Sequence, residues 1–184
     1  MKNLLALVRN RSPEPLPEAA LKGVAAGIAG TAILSLSVAY MPVVLQQLGM
    51  APEPERPSGA SGQADRPAES PPERLAETVS ERVAGTTLGP DARKAAGQTI
   101  HWGYGAVWGA VYGLAQSRLR LPHLVHGTVF GLLVAVVAST LVPAAGLAPA
   151  PTEQSAAKSA TQLFNHLLYG WVTALTYHFR SERN

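Results

Sequence analysis

The chain contains no cysteine, and only 15% of its 184 residues carry a charge. Without cysteine there is no disulfide framework, thiolate metal site or thiol nucleophile, and the redox state of the compartment leaves no mark on the sequence. The modest length excludes a large multidomain enzyme. The pI of about 9.4 would fit a nucleic-acid binder, but net charge is only +3, so the placement of the charges matters more than their sum. No Gly-rich phosphate loop follows a strand pattern. The basic residues flank apolar runs rather than forming a nucleic-acid patch, and no nucleic-acid partner is expected.

Charge is missing from four long stretches: residues 23–52, 95–117, 121–152 and 159–179. All 27 charged residues fall outside them. A bilayer sorts a sequence in this way, because ionised side chains are excluded from hydrocarbon. The expected fold is therefore all-α: a polytopic transmembrane four-helix bundle with a short external amphipathic helix, and the lipid bilayer as first partner. Mean hydropathy is only +0.09, diluted by the polar connection between the first two stretches. A soluble bundle is the competing reading. It draws on the second stretch, which holds five glycines with Gln98, His101 and Gln116.

The boundaries expected are a cytoplasmic arm over 1–19, spans over 20–48, 92–117, 122–143 and 158–179, and a tail over 180–184. A disordered external linker fills 49–70, the amphipathic helix 71–89, and an external loop 144–157. Leu4 to Val8 is too short for the apolar core of a cleaved signal and is followed by Arg9 and Arg11, so the first span is expected to be retained. Eight bases against three acids lie on the side of the termini and of the 118–122 turn. The other side has seven bases and nine acids, so the positive-inside rule puts both termini in the cytoplasm. Pro42 is a candidate kink, since proline removes a backbone donor.

Ser70-Pro-Pro-Glu73 has the form of a capping box with prolines in the first turn. Leu75, Val79 and Val83 then repeat every four residues. They predict a short amphipathic helix ending near Gly85 or Gly89 that caps the bundle on these three anchors, with the outer membrane surface as the alternative location.

Small residues recur every four positions along each span. The second span has Gly97, His101, Gly105, Gly109, Gly113 and Ser117; the third has Gly127 and Gly131; the fourth has Gly170 and Ala174; the first has Gly23, Gly27 and Thr31. Lipid supplies no hydrophobic drive between helices, so such stripes let backbones approach and hold the bundle together. Gly105, Gly109, Gly113, Gly127, Gly131 and Gly170 are the expected packing positions. Three spans also share the phrase His-x-x-(Tyr or His)-Gly-x-Val-x-(Gly or Ala), beginning at His101, His123 and His166.

Polar residues within spans usually face the bundle interior or water. His101 and His166 lie a few residues to the outer side of their span centres, with Tyr104, Tyr169, Gln98 and Asn165 as polar neighbours, and these six form the candidate intramembrane site. His123, His126 and His178 lie near the cytoplasmic interface and are less informative. Three uses of His101 and His166 stay open: interhelical hydrogen bonding, a proton or ion relay, and paired axial ligation of a haem iron. No cofactor or metal is assigned. No acidic pair or clustered Ser/His/Asp set points to catalysis, and Glu153 reads as a solvated loop charge.

Gln98-Thr-Ile-His101-Trp-Gly-Tyr104-Gly105, Gly146-Leu-Ala-Pro149-Ala-Pro151 and Asn165-His166-Leu-Leu-Tyr169-Gly170, followed by a basic tail, resemble the YagU-like bacterial inner-membrane proteins, a domain family of unknown function. The resemblance covers about residues 95–183. It implies a multi-pass plasma-membrane protein with no assigned catalytic residues. The functional expectation is a non-enzymatic scaffold or accessory subunit that associates with itself or with another membrane protein. The rival is a small transporter or proton-responsive channel.

Overall fold

The computed structural model describes residues 14–49, 69–119 and 122–182. Most of the expected 49–70 linker and 1–19 arm lies outside these residues. Five α-helices are present among the described residues, and no strand: α1 (Leu16–Gln47), α2 (Pro71–Ala84), α3 (Pro90–Leu119), α4 (His123–Ala144) and α5 (Ala156–Glu182). A 3-10 turn covers Pro151–Glu153. Two of the helices, α1 and α4, are long and apolar enough to cross a membrane. α3 and α5, with 30 and 27 residues, have the length but not the same apolarity.

Local chemistry explains several ends. α1 starts inside the stretch expected to be an arm, because Pro17 sits in its first turn, where a missing amide donor costs nothing. It then runs as one helix through Pro42. α2 opens with the Glu73 carboxylate accepting the Ser70 amide at 2.8 Å. It closes at Gly85, whose φ of 65° is the left-handed conformation that glycine adopts without a Cβ penalty. α5 continues past residue 179 to Glu182.

The four long helices alternate in direction, in the ring order α1, α3, α4, α5. Along the α1–α3 seam, Gly23 and Gly27 face Gly105, Gly109 and Gly113. A Cβ at Gly27 would lie 2.7 Å from the Gly109 Cα, and one at Gly109 2.6 Å from the Gly27 Cα, so only hydrogen fits between the two backbones. Thr31 fills the space opposite Gly105 and donates its hydroxyl to the Gly27 carbonyl at 2.9 Å. The α4–α5 seam is built the same way from Gly127, Gly131 and Gly170. α5 also rests on α1, where Gly30 receives Tyr169 and Thr173.

The α3–α4 seam is different. These helices follow one another in sequence, yet aromatic rings separate them: Phe130 lies 5.0 Å from Tyr112 and 6.0 Å from Trp108, both edge-on. Tyr112 is fully buried, in a core shared with Phe130, Val134, Tyr169 and Tyr177. Outside, the long helices expose large apolar side chains, among them Ile33 and Val38 on α1, Val107 and Val111 on α3, Val129 and Val136 on α4, and Phe164 on α5.

α2 lies against α3, with Glu73 over Gly97. Its expected anchoring is corrected. The buried residue is Ala76, Leu75 is half-buried, and Val79 and Val83 are 48% and 83% exposed. Only the first turns reach over the bundle, and the remainder overhangs. The elbow to α3 is tied by Arg93, which pairs with Glu69 and with Glu77 (2.9 Å) and donates to the Leu88 carbonyl at 3.1 Å.

Candidate functional site

Because the aromatic layer holds α3 away from α4, the bundle does not close at the end covered by α2. A cavity of about 240 Å³ remains there. Leu34 of α1, Trp108 of α3 and Val134 of α4 form its walls, and Pro71 and Leu75 of α2 with Leu147 of the 145–150 segment cover it. Four of the six candidate polar residues, His101, Tyr104, His166 and Tyr169, line this one space.

The other two do not. Gln98 is exposed and Asn165 is buried against α1, where its Oδ1 accepts the Ser37 hydroxyl at 2.9 Å. The reason is helical rotation: one residue is about 100°. Gln98 is therefore turned off the Gly97–His101 stripe toward the outside, and Asn165 is turned from the α4 side of α5 to the α1 side. Asn165 lines a separate cavity, of about 470 Å³, with Ser37 and Lys158.

Most polar atoms around the smaller cavity are already used. The Tyr169 hydroxyl donates to the Gly105 carbonyl at 2.7 Å. His101 Nε2 lies 3.1 Å from the Ser35 hydroxyl. His166 Nδ1 is 2.7 Å from the Gln162 carbonyl, and since a carbonyl only accepts, Nδ1 carries the proton. In the neutral ring the lone pair is then on Nε2. No Asp, Glu, Lys or Arg lines the cavity.

A second cavity, of about 430 Å³, adjoins the first between the diverging ends of α4 and α5, under the loop that joins them. Pro71, Ala138, Val142 and His166 belong to both walls. Gln154, which the residue pattern did not single out, also lines it. Its Nε2 donates to the Pro149 carbonyl at 2.7 Å, while its Oε1 is buried without a partner. No sequence signal marks this residue.

The opposite end of the bundle is more ordered than its interfacial position implied. His126, only 4% exposed, bonds through Nδ1 to the Gln116 amide oxygen and packs on Tyr112, 4.7 Å between rings. His123 stacks on His178 at 4.4 Å. Glu14, counted in the sequence as a flanking charge, takes the Tyr177 hydroxyl at 2.5 Å and the Lys22 ammonium at 2.7 Å. Tyr169 and Tyr177, eight residues apart on one face of α5, reach the carbonyls of Gly105 and Gly113, eight apart on α3. That shared spacing was legible, but its meaning required the helix pairing.

Among the described residues, no group of three or more His, Asp or Glu side chains is placed to hold a metal ion. Outside the bundle, the Ser70 amide, and after it the Ser70 side chain, holds the Glu73 carboxyl below the usual carboxylate range.

Comparison with curated proteins and with solved structures found no match. A family model does match, over residues 50–175, from the linker through α2, α3 and α4 into α5. It begins well before the stretch that carries the YagU-like motifs, and agrees with that resemblance. The apolar helix pair, the charge-free cavity and the His-Gly phrases thus sit in a chain that belongs to DUF1440, a family of proteins of unknown function.

Proposed function

We propose that the chain is a four-span protein of the bacterial inner membrane, with both termini cytoplasmic, acting without catalysis as a helix-packing scaffold or accessory subunit. One observation carries this reading: large apolar side chains point outward on all four long helices, while glycines and hydrogen-bonded polar groups face inward. In water a surface of that extent is an aggregation liability; in hydrocarbon it is the solvated face. α3 and α5 are acceptable spans because Tyr112, Asn165, Tyr169 and Tyr177 are buried in the bundle, where polar groups are tolerated.

The native chain has no cysteine, which makes the test clean. Single cysteines at Thr86, Thr152, Arg118 and Arg180 are to be labelled with a membrane-impermeant thiol reagent in intact cells. Thr86→Cys and Thr152→Cys should react at once, Arg118→Cys and Arg180→Cys only after permeabilisation. Labelling of Arg118→Cys together with Thr86→Cys from outside would overturn the four-span reading.

The transport reading rests on His101 and His166 sharing one cavity. It requires proton-dependent flux in proteoliposomes that disappears in the double variant His101→Ala/His166→Ala. The haem alternative likewise draws on His101 and His166 lining one cavity, and a Soret band in protein purified after haem supplementation would be its signature.

A further inference from the structure

The cavity of about 470 Å³ between the last turns of α1 and the first turns of α5 differs from the other two in carrying a charge. Lys158 lines it, whereas no Asp, Glu, Lys or Arg lines the two cavities beside His166. Among the described residues Lys158 is the one ionised group on this wall, so an anion is attracted there and an ammonium is repelled. Ser155 Oγ accepts the Lys158 amide at 3.3 Å, which caps the start of α5. The attraction therefore comes from the side chain and not from an open helix end.

Beyond the charge comes a donor. Asn165, two turns further on the same face of α5 and so about 10 Å along the helix, lines the cavity and is only 9% exposed. Its Oδ1 is taken by the Ser37 hydroxyl at 2.9 Å, so what it can offer a guest is the Nδ2 protons. The α1 side is apolar, formed by Val38, Met41, Pro42 and Leu45. Val38 and Pro42 are themselves exposed, which makes the cavity a groove open along α1, a helix apolar enough to cross a membrane. A cation at the rim, an amide donor two turns deeper and an apolar channel alongside repeat the order of parts in a phospholipid: phosphate, ester carbonyl, acyl chain.

We propose that this groove holds an anionic phospholipid of the phosphatidylglycerol type, its phosphate meeting the Lys158 ammonium, an ester carbonyl accepting from Asn165 Nδ2, and its acyl chains lying over Val38 along α1. Phosphatidylethanolamine brings the same phosphate with an ammonium that Lys158 repels. The site rests on the four-span reading, which puts the groove at the membrane surface, because Lys158 immediately precedes the charge-free stretch 159–179. Thiol labelling in cells tests that reading, and lipid binding by the purified chain tests this one, so either can fail alone.

The full chain, purified in mild detergent, is titrated with dioleoyl phosphatidylglycerol, dioleoyl phosphatidylethanolamine, the ether-linked phosphatidylglycerol of the same chain length and free glycerol phosphate, followed by native mass spectrometry. Expected is saturable one-to-one binding of the ester phosphatidylglycerol, with phosphatidylethanolamine and the ether lipid each about fivefold weaker and glycerol phosphate unbound. Lys158 is exposed, so Lys158→Gln leaves the packing of the helices untouched. It should weaken phosphatidylglycerol about fivefold, to the level of phosphatidylethanolamine, whereas Lys94→Gln, which removes another exposed cation, should keep the preference. Asn165→Leu should abolish the difference between ester and ether lipids. Equal binding of phosphatidylglycerol and phosphatidylethanolamine, or of ester and ether lipids, by the unaltered chain overturns the proposal without any variant, so misfolding of a mutant cannot rescue it. A preference that survives in Lys158→Gln, or glycerol phosphate bound as tightly as the lipid, overturns it as well.

Discussion

The α1–α3 and α3–α4 seams share one helix and differ in every other respect. Helices α1 and α3 are separated in sequence by the linker and α2, yet their backbones touch through Gly27 and Gly109. Only three residues lie between helices α3 and α4 in sequence, yet Trp108, Tyr112 and Phe130 hold them apart. Side-chain volume at the contact, and not distance along the chain, sets how closely two helices approach. The tight seam gives the bundle its rigidity. The wide seam leaves the smaller cavity open beside it.

The contrast breaks most visibly at Gly109. Gly109→Leu places a branched side chain where only hydrogen fits against Gly27, and a backbone cannot yield as a flexible side chain does. We expect loss of the folded bundle, read as early-eluting or aggregated protein in mild detergent, from a destabilisation beyond the roughly 1–3 kcal/mol of ordinary overpacking. A monodisperse Gly109→Leu protein with unchanged thermal stability would show that the α1–α3 contact is not as close as described.

The aromatic seam should yield in a graded way. Tyr112→Ala empties a fully buried ring site and is expected to cost about 3–5 kcal/mol in a denaturant titration. Tyr112→Phe should be neutral or slightly stabilising, because the Tyr112 hydroxyl is buried without a partner. A large loss in the phenylalanine variant would mean that this hydroxyl is bonded in the membrane.

A glycine outside both seams sharpens the contrast. A Cβ added at Gly103 would meet nothing within 4 Å. Gly103→Ala should therefore stabilise α3 by about 0.5–1 kcal/mol through helix propensity alone, read as a small rise in the denaturation midpoint. The smallest effect is expected at α2. Its Glu73 carboxyl is held below the usual range when folded, so the cap is at full strength above the unfolded carboxylate pKa and weakens as pH falls through the lower folded value. Protection factors of the α2 amides, taken relative to the intrinsic exchange rate at each pH, should fall as pH drops through the lowered folded pKa of Glu73, and Glu73→Gln should remove that acid step.

Much of this arrangement was legible along the chain. The i, i+4 small residues marked the faces that pack, the Ser70–Glu73 box marked the start of α2, and the polar phrases singled out His101 and His166, which the structure brings to one cavity. Gln98 and Asn165 were grouped with them by proximity in sequence, which ignores the 100° turn between neighbours. Val79 and Val83 read as anchors from their spacing, but periodicity describes a face without stating how far the partner surface extends. Gln154 belongs to a loop with no periodic signal at all.

Composition and periodicity by themselves determined that the chain is helical, where its apolar and small-residue faces lie, and how its short helix begins, because each depends on residues a few positions apart. Only the tertiary structure decided which stripe meets which, that consecutive helices stand apart, and that Gln154 joins His166 at one cavity. Those facts depend on volumes and hydrogen-bond partners brought together from distant parts of the chain, and local spacing carries no information about them.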